Sequence, residues 1–388
     1  MRIYIIHNFY QHPGGEDVVF HQQVRELSKQ HDVEVFNTHN LKGTKGLLQF
    51  ISYPFNLYIS QKITKAVKRF RPDIVHIHNI HYSIGPQIIR SLDSIGIPIV
   101  MTLHNYRLLC PSASLFFERK VFKSSLQERF PRTAIKKKVL DNSLIKTFIT
   151  GFTYWLHSRI GTWDKVSRFL VLSSFAKEIF NESTFPVPQE RFVVHANALE
   201  VGKKEAKRED YFVYIGRLSE EKGIIPLIEA FRELPVKLKI YGSGPQEKEV
   251  IKIAASSSNI ELLGFQAPDT LSASLSTASA LIVPSICYEG MPMSIIEAFG
   301  NGTPVLASAI GILNKMVLPL YTGLHFDPQH KESIKQCILQ WRDISETEKN
   351  KIGNNCRKEY EDNYTLQHNL NNLLKIYREV LQEKKGKR

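Results

Sequence analysis

Glu289 and Glu297 stand eight positions apart in SICYEGMPMSIIEAFGNG, the stretch from Ser285 to Gly302. Two carboxylates so spaced could act as an acid and base pair, ligate a metal, or accept hydrogen bonds from separate hydroxyls of one ligand. Gly290 and Pro292 narrow the choice, because both disfavour helix. A helix can therefore begin only near Met293 or Ser294 and run to Phe299, with Gly300 and Gly302 closing it. Glu289 then falls in the loop and Glu297 inside the helix, so the two do not share a face. Between them lies the positive end of the helix, where the amides of Met293, Ser294 and Ile295 can face an anion.

Cations occur at matching places upstream. In YFVYIGRLSEEKGIIPLIEAF a strand is followed by Gly216 and Arg217, and then by Lys222-Gly223 at the start of a helix. Gly216 permits a tight turn, and Arg217 and Lys222 set two positive charges beside a helix terminus, an arrangement that holds a diphosphate. The next strand, VKLKIYG, leads into Gly242-Ser243-Gly244-Pro245. Those glycines would let a ligand approach the backbone, although plain strand-to-helix punctuation explains them as well. A ligand anionic in its middle and rich in hydroxyls at both ends fits the whole set, and a sugar nucleotide has that form. In the first half, HIHNIH puts His76 and His78 on one strand face with His81 close behind. Without an acidic or cysteine partner at matching spacing, these read as strand-end histidines lining a cleft rather than a zinc site, and no metal is expected.

The elements that position these residues follow from hydrophobic patterning. Short apolar runs recur as RIYII, VEVF, DIVHIH, IPIVMTL, RFLVL and RFVVH, with helix-length amphipathic segments such as Asp17 to Gln30 and Asn56 to Phe70 between several of them. Continuous apolar strands alternating with helices imply a parallel, doubly wound sheet. After the polar HANALEVGKKEAKRED the pattern restarts with YFVYI and continues through VKLKIY, IELL, ALIVP, PVLAS and GLHF. This predicts an α/β protein of two Rossmann-like domains facing a central cleft, residues 1–200 and 201–360, with a linker at about 199–210 and ligands beyond the carboxyl ends of the strands. YTLQHNLNNLLKIYREVLQ has leucine and isoleucine at helical spacing and predicts a helix within 361–388 that packs back toward the first domain.

Composition excludes other classes. With 43% hydrophobic and 23% charged residues the chain is neither disordered nor fibrous. No apolar window reaches the roughly 18 residues of a membrane span, and the first apolar run is too short for a signal peptide, so a cytoplasmic, soluble or surface-bound protein is expected. Cys110, Cys287, Cys337 and Cys356 are too scattered for a disulfide framework or zinc knuckle. The net charge of +13 is concentrated between Arg119 and Arg168, where twelve basic residues face three acidic ones. Within it, Lys136, Lys137 and Lys138 adjoin an apolar stripe of Ile135, Val139, Leu140, Leu144, Ile145, Phe148, Phe152, Trp155 and Leu156. This predicts a basic amphipathic helix that docks on anionic lipid at the inner face of the cytoplasmic membrane, with ordinary domain packing as the alternative.

GRLSEEKG, GSGP and E-x7-E, in this order on successive α/β units, resemble the nucleotide-sugar domain of the retaining GT-B glycosyltransferases of family 4. FYQHPGGEDVV, DIVHIHNIH and TLHNYRLLCP extend the resemblance to the first domain, where they are similar to members that assemble bacterial cell-surface polysaccharides. The resemblance implies that Arg217 and Lys222 hold the donor diphosphate, Glu297 the ribose hydroxyls and Glu289 the transferred sugar. It further implies that Gly14 and Gly15 bring backbone to the diphosphate and anomeric centre, and that His104 hydrogen-bonds the donor sugar. The expected activity is retaining, metal-independent transfer from a nucleoside-diphosphate sugar to a hydroxyl of a glycan or lipid-linked glycan acceptor. Two departures stand out: FFERKVFKSSLQ lacks the cysteine that many relatives carry after LLCP, and Pro292 removes an N–H that relatives with EGFG could offer the sugar. The rival readings are another GT-B enzyme, such as a sugar-nucleotide epimerase or phosphorylase, and a non-catalytic polyanion-binding module. No motif for nucleic acid accompanies the basic segment, so no nucleic-acid partner is expected.

Overall fold

The computed structural model describes residues 1–11, 14–202 and 206–386. The His12-Pro13 part of the FYQHPGGEDVV motif, positions 203–205 of the linker and positions 387–388 lie outside the described residues. The chain divides into two compact units. The first comprises 1–115, 122–197 and 367–388; the second comprises 198–366 together with 116–121.

The first unit is built on a parallel sheet of β1 (Arg2–Phe9), β2 (Asp32–His39), β3 (Ile74–Ile77), β4 (Ile99–Leu103), β7 (Arg168–Val171) and β8 (Phe192–Val194). A two-stranded antiparallel hairpin, β5 (Phe116–Phe117) and β6 (Lys120–Val121), intervenes in sequence and groups with the second unit. The sheet order is β2-β1-β3-β4-β7-β8, so the direction of winding reverses between β1 and β3. β3 and β4 are buried at every residue, as strands covered on both faces must be.

The second unit repeats the architecture with β9 (Tyr211–Ile215), β10 (Lys237–Tyr241), β11 (Ile260–Gly264), β12 (Ala280–Val283), β13 (Val305–Ser308) and β14 (Gly323–Phe326). Its order, β11-β10-β9-β12-β13-β14, reverses between β9 and β12. In open parallel sheets such reversals leave a crevice at the carboxyl ends of the two strands, because the helices that follow them depart to opposite faces. In both units the chemistry-bearing loops emerge at this edge.

The helix Leu366–Gly386 belongs to the core of the first unit. Leu373, Ile376, Tyr377 and Val380 pack with Ile3, Ile5, Phe20, Leu27, Ile74, Val100 and Leu170. The Tyr377 hydroxyl also hydrogen-bonds His76 Nδ1 at 2.6 Å, whose Nε2 meets Thr102 Oγ1 at 2.7 Å. His76 is thereby a satisfied core residue. Leu373→Ala should cost the first unit about 2–5 kcal/mol, the range for a fully buried leucine. Hydrogen exchange read by mass spectrometry should then rise in the β1 and β3 peptides and stay unchanged in β9.

Candidate functional site at the sheet switch points

In the second unit, two loops meet at the reversal. The loop after β9 carries Gly216 to Ser219 and runs through a single 3-10 turn, Glu220–Lys222, into the helix Ile224–Phe231. The loop after β12 carries Ser285 to Gly290 and leads to the helix Met293–Gly300. They are stitched together: the Ile286 N–H donates to the Glu221 carbonyl at 2.9 Å. Gly223 sits at φ 68°, and a Cβ there would lie 2.0 Å from the Pro284 carbonyl oxygen. No other residue permits this approach without moving one loop.

Across the junction, Lys222 Nζ bonds both carboxylate oxygens of Glu289, at 2.6 and 2.7 Å. Ser285 Oγ donates to Glu289 Oε1 at 2.6 Å. Burial acts to raise the Glu289 pKa, but the charge and hydrogen bonds of Lys222, aided by Ser285, outweigh it and hold the carboxyl below its ordinary value. Burial likewise acts to lower the Lys222 pKa, and Glu289 more than offsets it, so the ammonium stays charged. Arg217, on the same loop, is exposed and enters no ion pair among the described residues.

The helix that follows starts at Met293 with Pro292 as its cap residue. Within a helix, the first amides have no acceptor of their own, which leaves those of Met293 and Ser294 for a ligand. The Ile295 N–H is already taken by the Pro292 carbonyl at 3.2 Å, so of the three amides anticipated it is the least available. Glu297 is half-buried in this helix, and burial alone pushes its carboxyl up to about 7. Gly242 and Gly244 have a structural reason of their own. Added Cβ atoms would lie 1.9 Å from the Gly216 carbonyl oxygen and 2.4 Å from that of Leu218, so these glycines let the β10 loop lie against the β9 loop.

At the switch point of the first unit, the loop after β1 ends at Gly14, and Gly15 is the first residue of the helix Gly15–Ser28. Asp17 accepts from the Gly14 N–H at 2.8 Å and bonds His7 Nε2 at 2.9 Å, closing the helix start against β1. A Cβ at Gly14 would meet nothing within 4 Å. Asn79, just beyond β3, donates to the Asn8 carbonyl at 2.8 Å and to Glu16 Oε1 at 2.9 Å, bridging the reversal. Burial, with the charge of Asp17, pushes the Glu16 carboxyl up to about 8. His104 follows β4 and shares a hydrogen bond with His78 Nδ1 at 3.1 Å; burial among other histidines brings its pKa down to about 3, so it is neutral at pH 7.

Ligand atoms of His7, Glu16 and Asp17 lie within 4.8 Å of one another and could hold a metal ion, yet their bonds to each other and to Asn79 already explain the grouping. The sequence reading passed over Asn79, Glu16 and Ser285, because an amide, a third acid and a hydroxyl carry no spacing signal until the loops meet.

The basic amphipathic helix expected around Lys136 to Leu156 is corrected by the structure. It is two helices, Arg132–Lys137 and Leu144–Arg159, separated by Lys138, Asp141 and Asn142 in left-handed backbone conformation. Val139 and Leu140 are buried between them, so part of the apolar stripe serves the core.

Glu297 and Glu16 give each switch point a pH signature of its own. Each carboxyl holds its proton to a higher pH folded than unfolded, so the folded chain binds more protons between about 4.5 and 7 for Glu297, and up to about 8 for Glu16. The associated stability is complete below the unfolded value and is lost as the pH rises through the folded one. Glu297→Gln should therefore flatten the decline in melting temperature between about pH 5 and pH 7, and melt above the wild type near pH 8. Identical pH profiles for the two proteins would rule this out.

Comparison with known proteins agrees with the geometry. The model of Glycosyltransferase Family 4 matches residues 13–202, and that of Glycosyl transferases group 1 matches residues 198–359. An uncharacterized glycosyltransferase of Methanocaldococcus jannaschii is 24% identical over 374 residues, covering 94% of this chain and 91% of the relative. The lipopolysaccharide 1,2-N-acetylglucosaminetransferase of Salmonella typhimurium is 28% identical over 198 residues, 44% of this chain and 52% of that enzyme. Among solved structures, Anabaena HepE in complex with UDP and glucose superposes with a TM-score of 0.68 at 16% identity, covering 97% of this chain and 99% of HepE. The sucrose-phosphate synthase of Thermosynechococcus elongatus gives a TM-score of 0.73 at 15% identity, covering 98% and 99%. With two six-stranded parallel sheets of this order and both family models in register, the chain belongs to the family 4 (group 1) glycosyltransferases, enzymes of the EC 2.4 class with the GT-B fold.

Proposed function

We propose that this enzyme transfers a sugar from a nucleoside-diphosphate sugar to an acceptor hydroxyl with retention of anomeric configuration. The observation that carries the reading is the Lys222–Glu289 pair, set across the β9/β12 switch point beside the unpaired Arg217. In this reading Arg217, Lys222 and the amides of Met293 and Ser294 hold the diphosphate, while Gly216, Gly242 and Gly244 shape the floor beneath it. Glu297 accepts the ribose hydroxyls and Glu289 the hydroxyls of the transferred sugar. That HepE was solved with UDP and glucose supports the donor class.

Cleavage of the anomeric bond leaves negative charge on the departing diphosphate, where Arg217 and Lys222 stabilise it. The acceptor oxygen bonds the anomeric carbon on the face the diphosphate leaves, and the leaving phosphate takes the acceptor proton. No covalent nucleophile is required. In the same reading, Gly14 and Gly15 offer bare backbone, and neutral His104 a hydrogen bond, to a ligand at the switch point of the first unit. The lipopolysaccharide enzyme among the relatives supports a cell-surface glycan as acceptor.

Thermal shift against uridine, guanosine and adenosine diphosphate sugars tests the donor reading, since a ligand of the folded state raises the melting temperature. One base should stabilise the wild type, and Arg217→Ala should abolish the shift and lower transfer about 100-fold without changing the melting temperature of the free protein. Full activity in Arg217→Ala would overturn the assignment. Lys222→Ala is less clean, because it leaves Glu289 buried without its counter-charge.

Peripheral docking on anionic membrane also belongs to this proposal. Leu144, Ile145 and Phe148 are exposed on the helix Leu144–Arg159 beside Lys146, and Leu47, Leu48 and Ile51 on the helix Gly43–Ser52. Both helices pack against the turn Tyr53–Phe55, and the Tyr82 ring lies 4.8 Å from that of Phe50. None of the described helices is long and apolar enough to cross a membrane. Flotation should recover the wild type with anionic vesicles and not with neutral ones, and Leu48→Ser with Ile145→Ser should abolish recovery; equal recovery by both vesicle types would refute it.

A further inference from the structure

A cavity of about 430 Å³ opens within the first unit, between the segment 107–111, the helix Leu144–Arg159 and the loop 183–186. Its volume lies in the range of small-ligand sites. Three arginines line it: Arg107, Arg129 and Arg159. None forms an ion pair among the described residues. Glu128 is the single carboxylate of the lining among the described residues, and it is committed elsewhere: Thr133 donates to it through its N–H at 3.0 Å and through its hydroxyl. Arg107 donates through Nη1 to the Pro111 carbonyl at 2.6 Å, which anchors the guanidinium without neutralising it. Tyr154 and Trp155 supply the aromatic wall, and Phe130 braces Trp155 edge-on at 5.3 Å.

Three arginines border this concave site, Arg107 partly buried and Arg129 and Arg159 exposed, and their charge gives the lining a positive local potential. Their planar forks match phosphate oxygens two at a time, and an aromatic wall suits the apolar face of a sugar ring. The helix is also held close here. A Cβ on Gly151 would come within 2.7 Å of Pro131 Cγ, so the floor of the cavity depends on a residue without a side chain.

We propose that this cavity binds a phosphate ester of the acceptor: Arg107, Arg129 and Arg159 grip the phosphate while Trp155 and Tyr154 bear the sugar it is joined to. This rests on reading the first unit as the acceptor side. The enzyme then extends a phosphorylated glycan rather than a neutral one, whether the phosphate belongs to a lipid-linked diphosphate or to a soluble sugar phosphate.

The test is calorimetric titration of the full chain with sodium pyrophosphate, with UDP present in excess to fill the second unit. Binding should be saturable, and Arg129→Gln with Arg159→Gln should weaken it at least about 10-fold. Lys136→Gln with Lys138→Gln removes the same charge from the end of the neighbouring helix Arg132–Lys137 and the residue after it, and should leave binding unchanged. Equal weakening by both pairs, or no saturable binding, overturns the proposal. Glucose 1-phosphate and phosphatidylcholine vesicles carrying undecaprenyl diphosphate then separate the two sources, the true one showing the same dependence on the arginine pair. UDP affinity should stay the same in the arginine variant. Should the wild type fail to bind UDP, the donor reading falls, and the titration is repeated in Arg217→Ala with Lys222→Gln to keep pyrophosphate out of the second unit.

Discussion

A strand parallel to its neighbours sends its following loop to the same sheet edge as all the others, and this constraint governs where chemistry can occur in the chain. With six parallel strands per unit, the residues after β9 and β12 have one place to meet. At that edge the Lys222–Glu289 pair settles the loop geometry. Separating the two would leave an ammonium and a carboxylate partly out of water without compensation, so the loops are held at a fixed distance. The Ile286 to Glu221 backbone bond and the glycine at 223 serve the same junction.

Much of this was legible in the sequence. All twelve long-sheet strands coincide with the apolar runs read from the chain, because strands buried on both faces have no reason to alternate. The start of the helix at Met293 followed from Pro292 and Gly290, whose backbone preferences act locally. The separation of Glu289 from Glu297 could therefore be read in advance.

What escaped reading depends on contacts far apart in sequence. Glu289 and Glu297 were distinguishable, but the direct bonding of Glu289 to Lys222, sixty-seven positions earlier, was not. The glycines of GSGP looked like an opening for a ligand, and they prove to be needed by the neighbouring loop whatever else they admit. The basic segment looked like one helix because its apolar residues keep helical spacing across the break at Lys138. Left-handed conformation at Lys138, Asp141 and Asn142 breaks the helix without disturbing that spacing. After glycine, aspartate and asparagine are the types that most readily adopt it, so Asp141-Asn142 was the local sign that periodicity masked.

The helix Leu366–Gly386 completes a core whose other members are drawn from residues 3 to 170. During synthesis, the whole of the second unit emerges before that helix does. Until it does, Ile3, Ile5 and Ile74 lack the cover of Leu373, Ile376 and Tyr377, whereas every strand of the second unit precedes that helix in the chain. The chain closes the core of its first unit with the last helix of the sequence, so that unit's stability depends on both ends of the chain being present together.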